Sequence, residues 1–502
     1  MNKQRVKNLS VNMIAFAMQF VINFYVTRTI IAKCGMEANG FLNLANDFIM
    51  YLSVISSVLN SVSGRFISLA MNKGDIDKAK KYFSSTLIAN FGIVIIFIIA
   101  GSIFIPNIDS FLEIPLELVE DVKITFMFTL ISYAITIVSS VFTVSTYITN
   151  KLDINGFRNA IQYIIRFVCI LIFFVMWDVK IYAVSIASVI AAFCIGIANI
   201  QLTKKLTPEL SFKVNYFNWN SVKEIMASGC WISISNLSTI FIRYLDLIVA
   251  NLFIGAAAMG LLSSARTMPN YVTSLITTLG ALFSPEFVII FARGDKNELS
   301  EKVKSAMKMM ALIIYVPVCG LIVYAEPFYR LWLHTLTVDE LNTVVLLSTI
   351  TVVQALFNAT TLPVAQLSIV TNKVKLPVVV SFACGMSNLL VVFFALKCTD
   401  IGVYAIVISS TCILLIRYIL FNCWYGERMI GVAKGTFFKT LISIVPLCII
   451  LICTMFFVKK VIVPDNWITL AASCVVAGGI GYLESILYLY RNKVIDVICL
   501  KK

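Results

Sequence analysis

Long apolar stretches separated by short polar segments run along the whole chain of 502 residues. About 20 apolar residues are enough for a helix to cross a bilayer, and 14 stretches reach this length. The predicted spans are 9–32, 40–70, 83–105, 121–148, 156–177, 180–203, 223–254, 256–292, 305–325, 341–369, 376–396, 402–424, 437–458 and 466–490. The pattern therefore predicts an all-α polytopic membrane protein with about 14 transmembrane helices.

The second and eighth spans match each other without a gap when the numbering is shifted by 220. Glycines, other small residues and one tyrosine coincide, from Gly35 on Gly255 to Gly74 on Gly294. The polar segments that follow, NKGDIDKAKK at 72–81 and ARGDKNELSE at 292–301, are also similar. Many transporters are built from such repeats, with the substrate site between them. The alternative is a match of composition between two helices rich in Gly and Ala.

The longest polar segment between spans on the predicted inner side lies at 204–222. It separates an N-terminal lobe of spans 1–6, residues 1–203, from a C-terminal lobe of spans 7–12, residues 223–424. The repeat relates these six-helix lobes by pseudo-two-fold symmetry. Residues 425–502 then add two spans and a cytoplasmic tail that have no counterpart in the first half.

Basic residues are distributed unevenly between the two sides of the membrane. With the N-terminus inside, the inner segments hold 26 Lys and Arg residues and the outer loops hold six. Because cytoplasmic loops are enriched in Lys and Arg, both termini are predicted to be cytoplasmic. The formal charge of +14 thus reflects topology, and no nucleic-acid partner is predicted.

No catalytic, metal-binding or cofactor motif is found in the sequence. There is one histidine, His334, and the 13 cysteines are scattered without metal-ligand spacing. A phosphate loop of the form GxxxxGK[ST] is absent, so ATP hydrolysis is not expected. The predicted partners are instead the membrane lipids and a substrate bound between the helices.

Five arginines within the predicted spans are the candidate substrate-binding residues. Each charge at mid-membrane costs about 2.5–3.5 kcal/mol on insertion scales, so it normally faces a polar interior. The planar guanidinium of arginine binds phosphate in a bidentate manner, and an excess of arginine predicts an anionic substrate. These residues are Arg28, Arg65, Arg166, Arg243 and Arg266. Lys123, Lys308 and Arg417 lie closer to span ends, where long side chains can reach the interface.

Two aspartates lie among these arginines, and their role is left open by the sequence. Asp47 and Asp246 are candidate sites for coupling to a proton or sodium gradient, or salt-bridge partners. Arg243 and Asp246 are three residues apart, as in a pair on one helix face, and Asp47 could neutralise Arg266.

Three prolines within the spans are candidate hinges, because a proline in a helix removes a hydrogen bond and permits a kink. They are Pro269, Pro285 and Pro363.

The chain resembles the polysaccharide-exporter branch, the Wzx-type lipid-linked oligosaccharide flippases, of the multidrug/oligosaccharidyl-lipid/polysaccharide exporter superfamily. The resemblance covers nearly the whole chain. It rests on KNLSVNMIAFAMQFVINFYVTRTII at 7–31, GRFISLAMNKGDIDKAKK at 64–81 and SSARTMPNYVTSLITTLGALFSPEF at 263–287.

The resemblance implies two six-helix lobes around a central cavity and transport by alternating access. The implied substrate is an oligosaccharide on a polyprenyl pyrophosphate, such as an O-antigen or exopolysaccharide repeat unit. It would move from the inner to the outer leaflet of the bacterial cytoplasmic membrane. Arg28, Arg65 and Arg266 match positions of cavity arginines in flippases of the superfamily, and other glycan-assembly membrane proteins are candidate partners.

Two other functions fit parts of the sequence. A cation-coupled multidrug efflux antiporter of the same superfamily would use Asp47 and Asp246 to bind cationic drugs, but the excess of interior arginine disfavours it. A membrane polymerase or ligase would need a large outer loop with catalytic side chains, whereas the loops at 106–120 and 326–340 are short. The protein is therefore expected to be a transporter and not an enzyme.

Overall fold

The structure is a computed structural model that describes residues 3–149, 151–176 and 178–491. It is 89% helical, and these residues contain no strand. Fourteen segments are long and apolar enough to cross a membrane, which confirms the predicted all-α polytopic fold. Most of the predicted C-terminal tail lies outside the described residues.

The chain divides into two compact units, Met1–Gly260 and Leu261–Lys502. The α-helices of the first unit are α1 (Lys3–Cys34), α2 (Met36–Asn72), α3 (Ile76–Phe104), α4 (Val119–Ser140), α5 (Val144–Ile148), α6 (Leu152–Met176), α7 (Ile181–Leu206), α8 (Trp219–Thr239) and α9 (Asp246–Phe253). Those that follow are α10 (Ala256–Gly280), α11 (Ser284–Arg293), α12 (Lys296–Trp332), α13 (Val338–Val370), α14 (Lys375–Cys398), α15 (Val403–Ile416), α16 (Cys423–Ile430), α17 (Thr436–Val461) and α18 (Trp467–Arg491).

Several predicted spans contain irregular segments that hydropathy did not indicate, and spans 7 and 8 are two of them. Span 7 passes from α8 through a π-helix at Ile240–Tyr244 and a bend before α9. Span 8 is divided into α10 and α11 by a turn at residues 281–283. Each was predicted as one helix, because hydropathy reports whether a segment is apolar and not how its backbone hydrogen bonds are arranged.

The internal repeat is visible in the backbone where each unit of the repeat ends. Gly74 and Gly294 have φ angles of 77° and 79°. The next residues, Asp75 and Asp295, each accept a hydrogen bond from the backbone N–H three residues later, at 3.0 and 2.9 Å. A coincidence of composition would not reproduce the same left-handed turn and helix cap, so the structure supports a true repeat.

In the first unit, α8 packs closely against α2. A Cβ atom on Gly229 would come within 1.9 Å of the carbonyl oxygen of Val58, so only glycine permits this approach. The hydroxyls of Ser57 and Ser233 are 2.8 Å apart across the same contact. The first compact unit therefore includes α8 and ends at Gly260. The lobe boundary at 204–222 stays a prediction.

An ion pair joins the start of α4 to the residue that precedes α7. Lys180 Nζ lies 3.1 Å from Asp121 Oδ2, and this hydrogen-bonded carboxylate raises the pKa of Lys180. The pair connects two helices that pack against each other along the first unit.

The second unit is built around α12, which packs against α13, α17 and α18. Two prolines in α12 leave carbonyl groups without their usual N–H donors. The Tyr482 hydroxyl lies 3.4 Å from the carbonyl four residues before Pro317, and Lys459 Nζ donates at 2.9 Å to the carbonyl four residues before Pro327. The two additional C-terminal spans therefore complete the hydrogen bonding of α12 and share its core.

The three predicted hinge prolines differ in their effect on the helices. Pro269 and Pro363 lie inside α10 and α13, which continue through them. The Tyr329 hydroxyl lies 3.4 Å from the Ala265 carbonyl, the group that Pro269 leaves without a donor. Pro285 lies in the first turn of α11, where a backbone N–H has no helical partner. Of the three, Pro285 lies beside a break in the backbone.

Candidate functional site

A polar cavity surrounds Arg166 within the first unit. Its volume is about 180 Å³, and its walls come from α2, α4, α6 and α7. Eight of the 12 residues that line it are polar, and besides Arg166 they carry hydroxyl or amide groups. They include Asn46, Thr129, Ser132, Gln162, Tyr163 and Ser185. We call this the Arg166 cavity.

Helix geometry accounts for the depth and the lining of the Arg166 cavity. Arg166 lies ten residues before Met176, the last residue of α6, which is about 15 Å along the axis. The Thr129 and Ser185 hydroxyls are 2.9 Å apart and connect α4 to α7, and Tyr163 donates to Gln19 at 3.1 Å. The cavity therefore combines a cation near mid-membrane with groups that can hydrogen-bond to an anion or to sugar hydroxyls.

Arg243 and Asp246 do not lie on one regular α-helix. Arg243 is in the π-helix at Ile240–Tyr244, and Asp246 begins α9 after the bend at Leu245. The predicted pairing on one helix face assumed continuous α-helical geometry, which is interrupted between them. Both residues take part in interactions within the protein, and their pairing stays a prediction. π-Turns are often found at functional sites, and Tyr51 stabilises this one by donating to the Tyr244 carbonyl at 2.6 Å.

Arg28 and Arg65 each lie near the C-terminal end of their helix. Arg28 lies six residues before Cys34, the end of α1, and is half-buried. Arg65 lies seven residues before Asn72, the end of α2, and is exposed. Within the part of the chain that the structure describes, neither forms a hydrogen bond or an ion pair. Their side chains are available to a ligand in a way that a paired arginine is not.

Arg266 and Asp47 are the most buried of the predicted site residues. Arg266, on α10, is 8% exposed, and Asp47, on α2, is 7% exposed. Both make interactions with other residues. Under the 220-residue repeat, the position equivalent to Arg266 is Asn46, which lines the Arg166 cavity. The repeat therefore places a polar side chain at the same point in both helices.

The predicted site residues are divided between the two compact units. Arg28, Arg65, Arg166 and Arg243 belong to the first unit and Arg266 to the second. Of these, Arg166 is the one that lines the polar cavity described above. The hypothesis that all five arginines surround one substrate stays a prediction.

Three charged residues within the helices were given no binding or structural role in the sequence analysis. Arg158, counted among the 26 basic residues of the inner segments, is buried in α6 and donates to Asn155 and Asn199. Glu484 in α18 accepts a hydrogen bond from Thr454 at 2.8 Å. Arg417 was treated as a residue near a span end, but it lines a large cavity. A search of every span for carboxylates would have found Glu484, whereas hydropathy carried no signal for Arg158.

No group of three or more His, Cys, Asp or Glu side chains that could hold a metal ion occurs among the described residues.

Comparisons with known proteins identify the family. Residues 6–287 match the family described as "Polysaccharide biosynthesis protein", and because this match covers more than half of the chain, the protein belongs to that family. The chain is also 26% identical over 468 residues to the uncharacterized membrane protein EpsK of Bacillus subtilis (strain 168). That alignment covers 93% of this chain and 92% of EpsK.

Solved structures with the same fold are transporters and not enzymes. One is the lipid II flippase MurJ in an inward closed conformation, with a TM-score of 0.70 and 16% identity over 96% of this chain and 99% of MurJ. Another is a multidrug resistance transporter of the MATE family in an inward-facing conformation, with a TM-score of 0.66 and 13% identity over 85% of this chain and 98% of that one. At these identities the likeness establishes the fold of the exporter superfamily, and the protein is a multi-pass membrane protein with that fold.

Proposed function

We propose that this protein is a flippase that moves an oligosaccharide linked to a polyprenyl pyrophosphate from the inner to the outer leaflet by alternating access. The observation that carries the proposal is the Arg166 cavity, in which one guanidinium is surrounded by hydroxyl and amide groups. Membership of the polysaccharide biosynthesis family and the exporter fold support the same function.

In this proposal the parts of the substrate are bound by different kinds of side chain. The pyrophosphate is bound by arginine, whose planar group donates two parallel hydrogen bonds to phosphate oxygens. Arg166, Arg243 and Arg266 are the candidates near mid-membrane, and Arg28 and Arg65 are the candidates nearer the two ends. Sugar hydroxyls would bond to the side chains around Arg166, and the polyprenyl chain would remain in the lipid.

We also propose that the protein lies in the bacterial cytoplasmic membrane with both termini inside. The 26 Lys and Arg residues of the inner segments against six in the outer loops support this orientation. Other glycan-assembly membrane proteins are candidate partners.

Asp47 and Asp246 are our candidates for a proton or sodium coupling site. Replacing Asp47 by Asn should abolish the dependence of transport on one imposed ion gradient. If the variant responds to both gradients as the wild type does, Asp47 is not that site.

A flipping assay in proteoliposomes tests the function. Wild-type protein should expose a labelled polyprenyl-pyrophosphate oligosaccharide on the opposite leaflet, and Arg166→Ala and Arg266→Ala should each slow this transfer. Lys204→Ala is the matched control, because Lys204 is an exposed cation at the end of α7, outside the cavity. The proposal fails if the reconstituted wild-type protein gives no transfer above empty liposomes.

The second candidate, a multidrug antiporter, is supported by the buried carboxylate of Asp47 and by the fold shared with the MATE transporter. Efflux of a cationic dye from the same proteoliposomes, lost in Asp47→Asn and unaffected by Arg166→Ala, would favour the antiporter and exclude the flippase.

A further inference from the structure

A second and larger cavity lies in the second unit. Its volume is about 550 Å³, within the range of 300–1,000 Å³ common for ligand pockets. Its walls come from α14, the last residue of α15, α16, the start of α17 and the π-helix at Arg417–Asn422. Three apolar side chains on its wall, Ile416, Leu420 and Trp424, are four residues apart and 58%, 58% and 45% exposed. We call this the Arg417 cavity.

Arg417 places a positive charge in these apolar surroundings. It is the first residue of the π-helix, and its Nε atom is buried without a hydrogen-bond partner. Among the described residues, Arg417 forms no hydrogen bond or ion pair. An arginine inside a spanning segment usually has a functional partner, and here none of the described residues provides one.

The carboxylate that lines the same cavity does not neutralise Arg417. Glu427 accepts hydrogen bonds from the backbone N–H groups of Gly435 and Phe437, each at 2.8 Å. It therefore holds the loop before α17 in place. That loop brings Lys434 to the cavity wall. The cations Arg417 and Lys434 therefore face the cavity together with Glu427, whose carboxylate is already hydrogen-bonded to the backbone, and the net charge of the cavity is positive.

We propose that the Arg417 cavity binds an anionic membrane lipid, with its phosphate at Arg417 and Lys434 and its acyl chains along the apolar wall. Charge complementarity and the exposed apolar stripe select this occupant, because an inorganic anion would leave the stripe unused and a zwitterionic lipid would bring a further cation toward Arg417 and Lys434. Basic pockets between spanning helices on the cytoplasmic side are known to bind acidic lipid head groups. The predicted topology places Lys434 on that side. This inference does not depend on the proposed flippase function.

Native mass spectrometry of the delipidated full-length protein tests the site. Equal amounts of phosphatidylglycerol and phosphatidylcholine are added, and the lipids that remain bound are counted. Wild type should retain phosphatidylglycerol preferentially, and Arg417→Leu should bind it about tenfold more weakly, since one charge-assisted hydrogen bond is lost. Arg417→Lys should retain part of the preference. Arg293→Leu is the matched control, because Arg293 is an exposed basic residue at the end of α11, away from the cavity.

A second variant removes the cavity without changing its charge. Cys384 lines the wall from α14, and Cys384→Trp should fill the space and reduce lipid retention even if Arg417→Leu fails to fold. The proposal is overturned if both variants retain phosphatidylglycerol as the wild type does. It is also overturned if inorganic phosphate displaces the lipid, which would indicate a free-anion site. If Cys384→Trp dissociates an oligomer and leaves lipid retention unchanged, the surface is an interface between copies of this chain.

Discussion

The two cavities each contain one arginine, but their surroundings differ. Arg166 is surrounded by hydroxyl and amide groups in a space of about 180 Å³. Arg417 is surrounded largely by apolar side chains in a space of about 550 Å³. The first is formed by regular helices joined through a hydroxyl pair, and the second is formed at a π-helix and a loop held by Glu427.

This difference indicates that the surroundings of a membrane arginine, and not its charge alone, determine the ligand. Polar walls can bind water, sugar hydroxyls and an anion together, so the Arg166 cavity suits a hydrophilic head group that passes through. Apolar walls bind only a ligand that brings its own apolar part, so the Arg417 cavity suits a resident lipid. The predictions below test whether the two arginines are separable in this way.

The largest expected effect is on transport in Arg166→Leu. Removal of one partner of a buried, hydrogen-bonded charge pair, such as the proposed pair of Arg166 and phosphate, typically costs 2–5 kcal/mol. Flipping in proteoliposomes should therefore fall by about two to three orders of magnitude. Arg166→Lys should retain more activity, because it keeps the charge while losing the bidentate geometry.

The comparison is strengthened if Arg417→Leu flips substrate faster than Arg166→Leu while binding less phosphatidylglycerol. The contrast between the two cavities is contradicted if the two variants lose the same fraction of flipping and of phosphatidylglycerol retention, since both cavities would then serve one process.

The sequence predicted the elements of these cavities better than the cavities themselves. The 14 spans can be predicted because the length of an apolar stretch decides whether a helix can cross a bilayer. Arg166 was identified because a charge at mid-membrane stands out in an apolar run. Arg417 is also a charge in an apolar run, but its depth along the span did not indicate that α14 and α17 leave a space beside it.

The π-helices were not predictable, for a related reason. A π-turn replaces regular hydrogen bonds, and it is tolerated where other groups bind the freed carbonyls, as Tyr51 does for Tyr244. That partner lies 193 residues away in the chain, so no local pattern reveals it. The prolines show the same limit, because α10 continues through Pro269 where the Tyr329 hydroxyl lies against the freed carbonyl.

The next effect in size is on stability, in Glu427→Ala. Hydrogen bonds to a charged group contribute about 1.5–3 kcal/mol each, and Glu427 accepts two from the loop before α17. At the low end of that range we expect a loss of about 3 kcal/mol in the free energy of unfolding and weaker retention of phosphatidylglycerol. Thermal unfolding in detergent measures the first and native mass spectrometry the second.

Glu301→Ala is the control for Glu427→Ala, because Glu301 forms an exposed ion pair with Lys304, and such pairs contribute little. If both variants unfold at the same temperature, the loop is not held by Glu427 and the wall of the Arg417 cavity has another origin.

A smaller effect is expected from Thr129→Val in the Arg166 cavity. The substitution removes one member of the hydroxyl pair, and the remaining Ser185 hydroxyl can bond to water in a polar cavity. The cost in stability should therefore be about 0.5 kcal/mol, at the low end for a hydrogen bond, while flipping falls a few-fold. A cost above about 2 kcal/mol would show a dry cavity and remove the contrast with the Arg417 cavity.

The smallest effect on stability in lipid-free detergent is expected for Arg417→Leu. A half-buried cation without a hydrogen-bond partner gains little from its surroundings, and replacing such a charge with an apolar side chain is often neutral or stabilising. The unfolding temperature should therefore stay the same or rise slightly.

Added phosphatidylglycerol should raise the unfolding temperature of the wild type much more than that of Arg417→Leu. A ligand that binds the folded state stabilises it by about 2.7 kcal/mol at a concentration 100 times its Kd. If the variant is instead strongly destabilised without lipid, Arg417 is a structural residue of the π-helix, and its cavity does not need a lipid to explain the charge.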